Sequence, residues 1–127
     1  MIQLSNIKNE TSSKKEMLLG AIRLWALTQD MEEITDKNYI FGADKAFVKN
    51  NKCYAFLSEI DLSPEELKTK VDSLSYFYNY IYIATNDRKK KKYIESNAIK
   101  GVGIVCDSNP FGLGQLFEVL KEAKELQ

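Results

Sequence analysis

The chain has 127 residues, of which 44% are apolar and 28% charged, and its formal net charge is zero. That length suits one domain able to bury a core, and the composition is that of a globular protein rather than a disordered or collagen-like one. Zero net charge excludes a globally basic nucleic-acid binder, though not a local basic patch.

There is no histidine. Ser-His and Cys-His nucleophilic machinery and histidine-ligated zinc or iron are therefore excluded. Acid–base or metal chemistry has to run on carboxylates, lysines or tyrosines, and oxygen donors favour magnesium or manganese. The two cysteines, Cys53 and Cys106, each sit in an apolar strand-like run and read as buried free thiols. No apolar run is long enough to cross a bilayer, and the first residues lack a signal-peptide core. A cytoplasmic protein with no membrane partner is expected.

Residues 1–12 are polar and are expected to be loose, leaving 13–127 as a single domain. Ser13 and Glu16 have capping-box spacing, and Leu18, Ala21, Ile22 and Trp25 follow at helical intervals. A helix over about 13–29 is expected, with Gly20 placed for close packing on a sheet. Strands follow at about 33–41, 43–49 and 53–60. Lys49-Asn50-Asn51-Lys52 is a hairpin turn signal, because asparagine tolerates positive φ. Ser63, Pro64 and Glu66 then open a helix whose inner face is Leu67, Val71, Leu74 and Tyr78. A strand at 80–84 comes next, then a lysine-rich helix from Asn86 or Asp87 to about 97. A strand at 101–106 follows, and a terminal helix over 111–126 with Leu113, Leu116, Phe117 and Leu120 inside. Gly112-Leu113-Gly114 lacks the lysine of a phosphate loop and reads as a turn. The order αβββαβαβα predicts an α/β fold with a mixed central sheet flanked by helices.

That order resembles the αβββαβ core of the PD-(D/E)xK nuclease superfamily, with its restriction-endonuclease-like fold. The likeness is nearest to small stand-alone nucleases whose text is Arg-Ala-Asp, a turn, then Tyr-Ala-Phe-Glu-Ile-Lys. Here Gly42-Ala43-Asp44 and Cys53-Tyr54-Ala55-Phe56 carry it, with Tyr80–Thr85 and Lys100–Val105 as the later strands, so it spans about 13–107. The Glu-x-Lys pair is degenerate. In the direct register its positions hold Leu57 and Glu59; shifted by two, it reads Glu59-Ile60-Asp61.

The resemblance implies a magnesium or manganese site on Asp44, Glu59 and Asp61, with Asp36 as a further ligand. Asp44 and Glu59 would be catalytic, and Lys68 (or Lys70) in the following helix would replace the missing lysine. Metal-dependent phosphodiester hydrolysis needs acidic ligands on rigid strands and positive charge near the phosphorane oxygens. Each residue also has an ordinary structural reading. Asp44 suits a strand start, Asp36 a turn and Asp61 the approach to a helix N-terminus. Glu59 suits a strand-end charge paired with a lysine.

Arg88, Lys89, Lys90, Lys91 and Lys92 form a basic run that reads either as a phosphate grip or as a solvated helix surface. Tyr76, Phe77, Tyr78, Tyr80 and Tyr82 form an aromatic cluster that reads chiefly as core between helix and strand rather than as a base-stacking platform. Three functions follow: a nucleic-acid-associated nuclease-like protein with a degenerate, non-cutting site; an active magnesium- or manganese-dependent DNA endonuclease; or a structural or interaction module. DNA, a second copy forming a homodimer, or a protein are the partners these imply.

Overall fold

The computed structural model describes residues 2–98, 100–108 and 117–126, with side chains from residue 14 onward. Helix α1 spans Ile2–Thr28. Three strands follow: β1 at Glu32–Glu33, β2 at Lys45–Lys49 and β3 at Lys52–Ser58. Helix α2 is Pro64–Leu74, β4 is Tyr80–Thr85 and α3 is Lys91–Ser96. β5 is Gly103–Asp107 and β6 is Phe117–Lys121.

Among the described residues the six strands form one sheet in chain order. β1, β2 and β3 pair antiparallel, β3, β4 and β5 pair parallel, and β6 returns antiparallel to β5. The hairpin between β2 and β3 turns on Asn50 and Asn51, at φ 52° and 64°. Two consecutive positive φ values match the strand twist, which is why two asparagines suffice there.

α1 lies on one face of the sheet. Its Leu18, Leu19, Ile22 and Ala26 pack on Phe47, Phe56, Tyr82, Ala84 and Val105. On the other face, Leu67, Val71 and Leu74 of α2 and Ile94 of α3 pack on Ala46, Ala55, Leu57, Ile81, Ile83 and Ile104. β3 and β4 are covered on both faces, which explains their near-continuous apolar text. α2 starts as its sequence dictates. Ser63 accepts from the Glu66 N–H, and Glu66 accepts from the Ser63 N–H.

Several expectations are corrected. The first helix, expected from about residue 13, runs from Ile2, so Ser13 lies inside α1 rather than at its start. Gly20 faces away from the sheet, and a Cβ there would meet nothing within 4 Å. The strand expected over 33–41 shrinks to Glu32–Glu33 and a 3₁₀ turn at Lys37–Tyr39. The terminal helix is replaced over 117–121 by β6; residues 111–116 lie outside the described residues. Phe-Glu-Val-Leu-Lys is compatible with either period. The unpaired rim of β5 decides for the strand, and Phe117 then stacks on Trp25 at 5.3 Å.

After β6 the chain stays extended and straps the amino-terminal ends of the parallel strands. The Lys124 N–H bonds the Gly101 carbonyl, and the Leu126 N–H bonds that of Asn79. Gly103 permits this approach: a Cβ there would stand 2.5 Å from the Tyr82 ring and 2.6 Å from the Ala123 nitrogen. Among the described residues no helix is long and apolar enough to cross a membrane.

Candidate functional site

The described side chains that are polar or charged yet buried are Ser58, Glu59, Thr85 and Asp107. All four lie at the carboxyl ends of the parallel strands β3, β4 and β5. Burying polar groups is costly without partners, so their concentration on one sheet edge marks that edge as specialised. Open α/β sheets hold their ligands at this edge.

Asp44 stands at the same edge, because β2 runs antiparallel to β3. Its position is irregular. Lys45 pairs with Phe56, and the Asp44 N–H also bonds the Phe56 carbonyl, at 3.0 Å. Two residues thus oppose one, as in a β-bulge, and the alternation of side chains is broken. Asp44 consequently turns to the α1 face. There its Oδ1 is 3.2 Å from Lys15 Nζ, and its Oδ2 accepts from the Ser58 N–H at 2.8 Å.

Glu59 turns the other way. It follows Leu57 by two residues and points to the face covered by α2 and α3. The Thr85 hydroxyl donates to its Oε1 at 2.9 Å, and Lys90 Nζ stands 3.2 Å from its Oε2. Thr85 Oγ1 in turn accepts from the Asp87 N–H at 3.1 Å. Glu59 is therefore a strand-end carboxylate bound to a lysine and a threonine.

The other expected ligands are elsewhere. Asp61 is not a continuation of β3. The strand ends at Ser58, a turn closes from the Leu62 N–H to the Glu59 carbonyl, and Asp61 sits in that turn at φ 68°. The period-two argument that aligned Glu59 with Asp61 fails for that reason. Asp36 caps the 3₁₀ turn, accepting from the Asn38 N–H at 2.9 Å. Lys68 and Lys70 are exposed on α2, and the lysine that reaches Glu59 is Lys90. Among the described residues no three His, Cys, Asp or Glu side chains gather as a metal-binding group. Asp44, Glu59, Asp61 and Asp36 are not brought together.

The basic run is divided. Arg88, Lys89 and Lys90 form a 3₁₀ turn capped by Asp87, and Lys91 and Lys92 begin α3. Arg88 is 3.5 Å from Glu118 on β6, Lys90 meets Glu59, and Lys91 meets Glu95 one helical turn on. Lys89 and Lys92 are exposed. Sequence reasoning missed Thr85 and Asp107. Their signal was positional, since each is the last residue of a parallel strand. Cys106, next to Asp107, is a buried free thiol whose burial pushes its pKa up.

No family model, curated protein or solved structure matches the chain.

Proposed function

We propose that this is a nuclease-like domain that associates with nucleic acid at the carboxyl edge of its sheet and does not cut it. The observation that carries the reading is the divergence of Asp44 and Glu59 to opposite faces, each already occupied by a lysine. Two-sided placement leaves no common point for an ion, and metal-dependent hydrolysis needs one. Antiparallel β1-β2-β3 followed by α2, β4 and the parallel pairing of β3 with β4 fits the αβββαβ core of the PD-(D/E)xK superfamily. The basic run supports association with phosphates. Lys90 pins it beside the ends of β3 and β4, with Lys89 and Lys92 directed to solvent.

Two measurements test the reading together. Manganese is titrated calorimetrically into the protein and into Asp44→Ala and Glu59→Ala. Labelled single-stranded and duplex DNA are followed by anisotropy and by gel, with and without magnesium. The expected result is no saturable manganese binding, intact DNA, and salt-dependent association weakened in Lys89→Glu/Lys92→Glu. Magnesium-dependent cleavage lost in Asp44→Ala would establish an active endonuclease instead.

A further inference from the structure

Tyr76 and Phe77 are not core. Tyr76 is 79% exposed and Phe77 50%, whereas Tyr78 and Tyr82 are buried. Phe77 stacks on Phe41 with centroids 4.3 Å apart and planes within 4°. Phe41 is 45% exposed, and Tyr39, two residues before it, is 62% exposed. A two-ring stack is thus presented to solvent, with a tyrosine close in sequence to each ring.

The stack is held in place. Phe41 has φ 55°, a left-handed conformation rare for a bulky side chain, and Gly42 follows at φ 93°. Strain of that kind persists only where neighbours enforce it. They do so here. The Tyr78 hydroxyl donates to the Ile40 carbonyl, and the Ala43 N–H closes a turn onto the same oxygen. Phe77 is fixed by its N–H bond to the Leu74 carbonyl at the end of α2.

We infer that this aromatic surface is a base-stacking platform for single-stranded nucleic acid. The inference rests on the nucleic-acid reading above and names the form of nucleic acid and a second contact. Three features select this occupant. First, the exposed large apolar residues of this surface are all aromatic. The aliphatic ones among the described residues, Met17, Leu24 and Leu27, lie on α1, across the sheet. A stacking platform needs ring faces, which every base can meet. Second, cations lie near the rings in sequence. Lys37 precedes Tyr39 by two residues, and Lys70 lies on α2 seven residues before Phe77; both are exposed. Exposed lysines suit contact with phosphates. Third, a duplex hides its base faces, so an exposed ring stack has a partner only in an unpaired strand.

The test uses a labelled fifteen-nucleotide thymidine oligonucleotide, with a duplex of the same length beside it. Affinity is measured for the full chain, Phe41→Ala, Phe77→Ala, Phe77→Leu and Lys89→Glu/Lys92→Glu, with folding checked by circular dichroism. The inference expects the single strand to bind more tightly than the duplex. It expects each alanine variant to lose roughly tenfold on the single strand and little on the duplex. Phe77→Leu, which keeps apolar bulk without a ring, should lose nearly as much. If the single strand binds and the alanine variants match the parent, the platform is wrong and the nucleic-acid reading stands. If neither probe binds the parent protein, that reading fails and this inference with it. A concentration-dependent dimer that Phe77→Ala dissociates would assign the patch to a second copy and overturn the platform.

Discussion

Lys90 Nζ stands 3.2 Å from Glu59 Oε2, and the carboxylate it meets is 4% exposed. The pair ties the turn after β4 to the end of β3. Thr85, at the end of β4, completes the tie through its hydroxyl. A carboxylate this deep is tolerable only because a charge and a donor reach it.

Removing the lysine therefore costs stability. Lys90 is itself about half exposed, so water fills part of its place. Lys90→Ala is expected to destabilise by about 1–2 kcal/mol, below the figure for a fully buried pair. Glu59→Gln keeps the threonine bond and should cost less. Urea unfolding of both single variants and the double variant gives the coupling energy; a value near zero would remove the pair as a stabilising link.

Two glycines predict opposite signs. Gly103→Ala places a Cβ 2.5 Å from the Tyr82 ring and against the C-terminal strap. A loss of about 2–3 kcal/mol is expected, with faster amide exchange at Lys124 and Leu126. Gly20→Ala adds a methyl group to open space on α1 and should stabilise by about 0.5–1 kcal/mol. Denaturant midpoints for the two variants on opposite sides of the parent are the required outcome.

The Tyr78 hydroxyl donates to the Ile40 carbonyl, and burial pushes its pKa up to about 12. The unfolded chain releases that proton near pH 10, so the folded state binds more protons between about 10 and 12. Stability from this group is complete below pH 10 and falls as pH rises through that window. Tyr78→Phe should lose about 1 kcal/mol at neutral pH, by removing the hydroxyl's bond and leaving the Ile40 carbonyl with the Ala43 N–H alone. It should also show a shallower alkaline decline than the parent in thermal melts. Parallel declines would show that Tyr78 does not set the slope.

At the start of α2, hydrogen bonds from the Ser63 backbone and hydroxyl hold the Glu66 pKa below its ordinary value of 4.5. A depressed carboxylate stabilises above its unfolded pKa, and the contribution is lost as pH falls through the folded value. As pH falls below about 4.5, the parent should lose stability more steeply than Glu66→Gln. Ser63→Ala should cost about 1 kcal/mol at neutral pH. Guanidinium unfolding at pH 7 and 3.5 checks both; an unchanged gap between parent and Glu66→Gln contradicts the linkage.

Where interactions are local, the residues alone were sufficient. The box of Ser63 and Glu66, the asparagine pair at the hairpin and the inner stripe of α2 each act within a few residues. The α/β class, the order of the first strands, β4 and β5 follow from such signals. The helix wrongly expected near the C-terminus failed because Phe117–Lys121 has no strong local preference, and a distant strand rim settled it.

The candidate site was legible in its members and not in their arrangement. Asp44 and Glu59 do reach the same sheet edge, as the antiparallel pairing of neighbouring strands requires. Their facing depends on a doubled opposition at Phe56 and on a turn that removes Asp61 from the strand. Lys90 was visible only as one of five basic residues. Its meeting with Glu59 spans 31 positions and exists because β4 lies beside β3. The sequence by itself thus determined the elements whose bonds close within a turn or two, and which edge would carry the polar residues. Tertiary structure decided which side of the sheet each carboxylate faces and which lysine it meets, because those depend on strand register and on contacts between segments far apart in the chain.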